Sequence, residues 1–216
     1  MGERTMTRII RTLLISFSLL AFTPAGAHAD DYAKGMKAYE AKNFIKARKV
    51  FQALAKAGDA RAQYRIGAMY DFGIGGAADL ATALEWYRKS AAGDNADAQY
   101  ALGEKLLTGS GNDNDPVQAI AWFRKAAAQG RLHAFLMLAI TYRDGAGVPK
   151  DLVLAHVFAS IHVREWGKLD LVERDKLSKE LAAILTEEQR AESETLQSIG
   201  FGNLINIPDS STTGQK

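Results

Sequence analysis

The sequence predicts an all-α, right-handed α-solenoid of paired antiparallel helices with helical caps. One residue pattern recurs at intervals of 36: Trp86, Trp122 and Phe158; Ala62, Ala98 and Ala134; Gly73, Gly109 and Gly145; Asp79, Asp115 and Asp151. Inside each copy, small and apolar residues fall at spacings of three and four, the helical period. Gly75, Gly111 and Gly147 complete a glycine pair that punctuates each copy between its helical halves. A period this long, held without slippage, marks stacked supersecondary units rather than one globular core.

Residues 1–29 read as a signal peptide. Arg4, Arg8 and Arg11 form a basic start, Leu13 to Phe22 is an apolar run, and Ala27-His28-Ala29 supplies the small-x-small cleavage pattern. The run is far shorter than the ~20 residues that span a bilayer, so no stable membrane anchor is expected after cleavage. Cleavage removes three arginines and Glu3 from 27 Lys+Arg and 25 Asp+Glu, leaving 24 of each. A neutral mature chain argues against nucleic-acid binding, which needs basic excess on one face.

Residues 30–59 read as a shorter helical pair, a partial repeat built on Ala38, Tyr39, Phe44, Ala47, Val50, Phe51, Leu54 and Ala55, whose turn lacks the glycine loop. Residues 60–165 hold the three full copies. In the first, Ala62, Gln63, Ile66, Gly67 and Tyr70 share one side of a helix, and Gly73 to Gly76 ends it. Asp79 then N-caps the second helix, where Ala83, Trp86, Tyr87, Ser90 and Ala91 have core spacing. In the next copy Asp115 is followed by Pro116, with Gln118 in capping-box position. Arg88-Lys89 and Arg124-Lys125 lie where cations favour the helix dipole. Residues 166–200 read as two amphipathic capping helices, the second N-capped by Thr186, and residues 201–216 as a polar, disordered tail.

Two strings carry a family likeness. Ala62-Gln63-Tyr64-Arg65-Ile66-Gly67-Ala68-Met69-Tyr70-Asp71-Phe72-Gly73-Ile74-Gly75 and Ala83-Leu84-Glu85-Trp86-Tyr87-Arg88-Lys89-Ser90-Ala91 resemble Sel-one-like repeats, relatives of the tetratricopeptide repeat. The second copy matches with Ala98 to Gly103 and Ala119 to Ala127. The third keeps Gly145 to Asp151 but has Ala139 for the first-helix glycine and Phe158 for the tryptophan. The resemblance implies a helical-repeat adaptor that assembles other proteins. Some exported relatives are penicillin-binding or β-lactam-hydrolysing and carry a cysteine pair in every repeat. This chain has no cysteine and no Ser-x-x-Lys motif.

Catalytic, cofactor and metal sites are not expected. The glycine pairs follow helices, whereas a phosphate loop opens one. A calcium loop starting at Asp113 would need glycine at position six and glutamate at twelve, where Gln118 and Arg124 stand. His133, His156 and His162 lack metal-ligand spacing, and the carboxylates are scattered among lysines and arginines.

In paired-helix solenoids the first helices line the concave surface, so a partner-binding stripe is expected opposite the core side set by Ala62, Ile66 and Tyr70. It comprises Arg61, Tyr64, Arg65, Ala68 and Phe72; then Asp97, Tyr100, Ala101, Glu104 and Thr108; then His133, Leu136, Met137, Ile140 and Asp144. The stripe runs from basic-aromatic through acidic-aromatic to apolar, which suits a protein or peptide with aromatic or aliphatic anchors beside charges. The competing expectation is that Leu136, Met137 and Ile140 are simply buried under the C-terminal helices, and Tyr64 and Tyr100 equally fit packing between repeats. The expectation is an exported, non-catalytic scaffold, periplasmic or secreted, possessing one protein or peptide ligand class and regulating an envelope complex or sensor. Its rivals are a cell-wall-active enzyme and a secreted effector that binds a host protein.

Overall fold

The computed structural model describes residues 25–110, 114–161, 168–199 and 203; most of the leader, Gly111, Asn112, Asp113, His162 and nearly all of the tail lie outside them. Ten helices and no strands are present among the described residues. In chain order they are α1 (Ala25–Glu40), α2 (Phe44–Lys56), α3 (Ala60–Asp71), α4 (Leu80–Ala92), α5 (Ala96–Thr108), α6 (Pro116–Ala128), α7 (Leu132–Asp144), α8 (Leu152–Ser160), α9 (Lys168–Ile184) and α10 (Glu187–Ser198). The odd helices from α1 to α7 are the first (A) helices of successive units, and α2, α4, α6 and α8 are their B partners. Each A helix packs on its own B helix, each B helix packs on the next A helix, and α9 and α10 both pack on α8. This is the paired-helix solenoid with a helical C-terminal cap. None of the described helices is long and apolar enough to cross a membrane.

The helix starts follow from short polar residues that accept from otherwise orphaned N–H groups. Asp79, Asp115 and Asp151 accept from the backbone of Thr82, Gln118 and Leu154. Each of these aspartates also donates its own N–H to an A-helix carbonyl, on Tyr70, Leu106 and Tyr142 at 2.8, 3.1 and 2.9 Å. That bond corrects the capping-box expectation at Gln118. The Asp115 N–H is already satisfied, and the Gln118 side chain instead donates to the Asp115 carboxylate. A complete capping box does form at Thr186, with Gln189. Arg131 sits where Asp59 and Asn95 cap the earlier A helices and makes no capping bond.

The second loop glycine has a packing reason. Gly75 and Gly147 both adopt positive φ, and a Cβ there would lie 2.8 Å from the Phe44 carbonyl and 2.3 Å from Pro116, respectively. Phe44 and Pro116 are the first residues of α2 and α6, so each loop rests on the start of the preceding B helix.

Two further expectations are corrected by packing. Met69, not Tyr70, enters the core of α3, while Tyr70 lies half-buried beneath the Arg48 guanidinium, 4.0 Å from its ring centroid. Tyr87 and Phe123 are core residues, but Trp86 and Trp122 are only half-buried, with Lys89 and Lys125 at 4.5 and 4.4 Å from their rings. The repeated glutamine joins units: Gln63 Nε2 donates to the Ala55 carbonyl and Gln99 Nε2 to that of Ala91, each on the preceding B helix. Leu177 and Leu181 of α9 complete the main core, and Leu185 closes over Val153 and Val157.

Candidate partner-binding face

The A helices touch one another through the stripe residues, and this side-by-side row is the candidate face. Tyr64 is half-buried, its ring tilted against Tyr87 at 5.9 Å, and burial raises its pKa. Tyr100 repeats the arrangement against Phe123 at 5.8 Å and donates to Glu104 at 2.9 Å. Arg65 Nε donates to Tyr32 Oη at 3.2 Å, and Arg61 covers the Tyr32 ring at 4.5 Å while pairing with Asp59 at 3.0 Å. Asp97 pairs with Arg131 at 3.3 Å, and Arg131 also lies 5.2 Å from the Tyr100 ring centroid. His133 meets the edge of Tyr100 at 6.1 Å.

The apolar end behaves differently. Leu136, Met137 and Ile140 are half-buried against the main core. Leu136, Ile140 and Arg143 form one wall of a cleft of about 210 Å³, and Glu173, Lys176, Leu177 and Glu180 of α9 form the other. The capping helix therefore flanks this part of the row. Phe72 stands apart from these side-chain contacts, 72% exposed at the end of α3.

Sequence reasoning missed Tyr32 and Arg131. The signal for Tyr32 was present but shifted: Gly35 and Phe51 are 16 apart, whereas Gly67–Tyr87 and Gly103–Phe123 are 20 apart. With that shorter loop allowed for, Tyr32, Tyr64, Tyr100 and Leu136 share one register on successive A helices. Arg131 was hidden because it occupies a capping position, where a short acceptor is the expected residue. No group of three or more His, Cys, Asp or Glu residues placed to hold a metal occurs among the described residues.

The Sel1 repeat family model matches residues 60–95, 96–130 and 134–159, register for register with the three full units. The chain carries three Sel1 repeats. The Sel1 array resembles the crystal structure of a protective antigen present in uropathogenic Escherichia coli strains that displays an SLR fold. That likeness has a TM-score of 0.63 and 34% identity, over 71% of this chain and 32% of the other. A Sel1 repeat protein from Oxalobacter formigenes shares the fold at a TM-score of 0.59 and 24% identity, over 73% of this chain and 62% of the other. The chain thus spans less than two thirds of the length of either. No curated protein matches the sequence. Sel1 repeats generally serve as protein-interaction scaffolds, and the fold is typically non-catalytic.

Proposed function

We propose that this Sel1 protein is an exported, non-catalytic adaptor that binds a protein or peptide partner along its row of A helices. The observation that carries the reading is the register Tyr32, Tyr64, Tyr100 and Leu136, ending at the cleft between α7 and α9. Half-buried aromatic rings held by neighbouring arginines are rigid anchors, and the cleft at the end of the row, where Leu136, Ile140 and Leu177 lie among charged side chains, accepts a further side chain. Export rests on the leader pattern of residues 1–29; the periplasmic role, holding an envelope complex or restraining a sensor, rests on analogy with the family.

Crosslinked capture from native envelope extract tests the reading, with wild type beside a folded Tyr64→Ala/Tyr100→Ala/Leu136→Ala variant. One dominant partner, lost in the variant, is expected. A partner retained by the variant moves the site off the row, and cell fractionation that leaves the protein in the cytoplasm removes the envelope role. Release to act on a host protein is the second reading, supported by the relative that is a protective antigen. Recovery from culture medium rather than the periplasm would favour it.

A further inference from the structure

We propose that Arg65 is the anion-binding point of this face, and that the partner segment crossing it carries an acidic side chain. The proposal rests on the A-helix row being the partner face. Other cations around the row are matched by carboxylates: Arg61 with Asp59 at 3.0 Å, Arg131 with Asp97 at 3.3 Å, Lys105 with Asp71 at 2.8 Å and Arg143 with Asp144 at 2.6 Å. Arg65 is the exception, making no ion pair among the described residues. Asp97 lies within electrostatic reach of it, but that carboxylate is engaged by Arg131.

The Arg65 side chain is nevertheless held in place. Its Nε donates to Tyr32 Oη at 3.2 Å, and its guanidinium carbon sits 5.8 Å from the Tyr64 ring centroid. With Nε occupied, the two terminal nitrogens form the edge that grips a carboxylate bidentately. Half-burial strengthens such a pair, because the guanidinium has already lost part of its water. Tyr32 lies on one side and Tyr64 and Tyr100 continue on the other, so an extended segment can pass over Arg65 rather than end there. In the next two units Ala101 and Met137 take the place of Arg65, so the charge is read at one point and sets the partner's register.

A displayed random-peptide library, fused at its C-terminal end so that chain-end carboxylates are absent, is the probe. It is selected on wild type, Arg65→Gln, Arg65→Lys, Tyr64→Ala/Tyr100→Ala and a Lys89→Gln control, each shown by circular dichroism and melting to fold. Wild-type binders are expected to be enriched in Asp or Glu beside an aromatic residue. The enrichment is expected to vanish on Arg65→Gln, weaken on Arg65→Lys and persist on Lys89→Gln. A synthetic copy of the leading binder with its Glu replaced by Gln should bind wild type about tenfold more weakly. Binders with no acidic enrichment, yet lost on Tyr64→Ala/Tyr100→Ala, overturn the anion site and leave the row as the face. Binders that survive Tyr64→Ala/Tyr100→Ala remove the row itself. Acidic enrichment that survives Arg65→Gln, or a library that yields no binder, also overturns the assignment.

Discussion

Gly67 lies directly under the ring of Tyr87: a Cβ on that glycine would come within 2.9 Å of the ring. The same relation joins Gly103 to Phe123 and Gly35 to Phe51, each at 2.7 Å. In the third full unit both partners change together, to Ala139 and Ala159. Once the ring is gone from the B helix, the A helix has room for a methyl group. The neighbouring position, aromatic in every full unit, is here Phe158, which unlike Trp86 and Trp122 is fully buried and stacks on Tyr142 at 5.9 Å with 10° between the planes.

Gly103→Ala should therefore destabilise the array by about 1–3 kcal/mol, the usual cost of overpacking. Helix propensity alone would favour alanine by ~1 kcal/mol, so the two effects have opposite signs. Urea unfolding of Gly103→Ala, Phe123→Ala and the double variant decides between them. The double variant should be more stable than the sum of its parts predicts. Additivity would mean that the glycine is there for another reason.

The sequence showed the pairing of helices, the caps and the loop glycines because each depends on residues a few positions apart. Asp79, Asp115 and Asp151 are examples. What it hid depends on contacts between units. Met69 and Tyr70 are neighbours on one helix, and only the approach of α2 with Arg48 decides which enters the core. The stripe residues could be named from helical geometry. Their pairing, Asp97 with Arg131 and Arg65 with Tyr32, needs the spacing of adjacent A helices, which no local pattern encodes.

Asp71 ties the first two full units together. Its carboxylate is largely buried, accepts from Lys105 Nζ across the unit boundary and accepts from Tyr87 Oη at 3.2 Å. Removing the lysine leaves a desolvated charge, so Lys105→Met should cost about 1–3 kcal/mol, reduced by the partial exposure of the pair. Asp71→Asn/Lys105→Met should recover most of that loss, because the amide oxygen still accepts from Tyr87. Chemical denaturation of the single and double variants reads both numbers, and an unrecovered double variant would show that the ion pair itself is required.

Arg174 fastens the cap. It is 1% exposed and donates from one terminal nitrogen to the Ile161 carbonyl at the C-terminal end of α8, and from the other to Asp175 at 2.8 Å. A cation at a helix C-terminus also complements the helix dipole. Arg174→Met keeps much of the buried stem but strands the carbonyl, with an expected cost of about 1–3 kcal/mol. The loss should concentrate in α9 and α10. Hydrogen exchange that rises there and stays unchanged in α3 and α4 is the expected pattern; a uniform rise would assign Arg174 to the whole fold.

His156 makes the attachment of α10 depend on pH. Its Nδ1 lies 2.8 Å from Ser193 Oγ, which is fully buried and also accepts from Gln197 Nε2 at 3.1 Å. With Gln197 donating to that oxygen, the serine proton is free to point at the unprotonated nitrogen of a neutral imidazole. Burial lowers the His156 pKa, and Glu194 opposes the shift without cancelling it. The folded state therefore prefers the neutral ring. Its stability is complete above the ordinary histidine value of 6.5 and declines as pH falls through the lower folded pKa. Thermal melts across that window should show wild type losing more stability on acidification than His156→Gln, with hydrogen exchange rising first in α10. Parallel pH curves for the two proteins would remove His156 from the cap's response to acid.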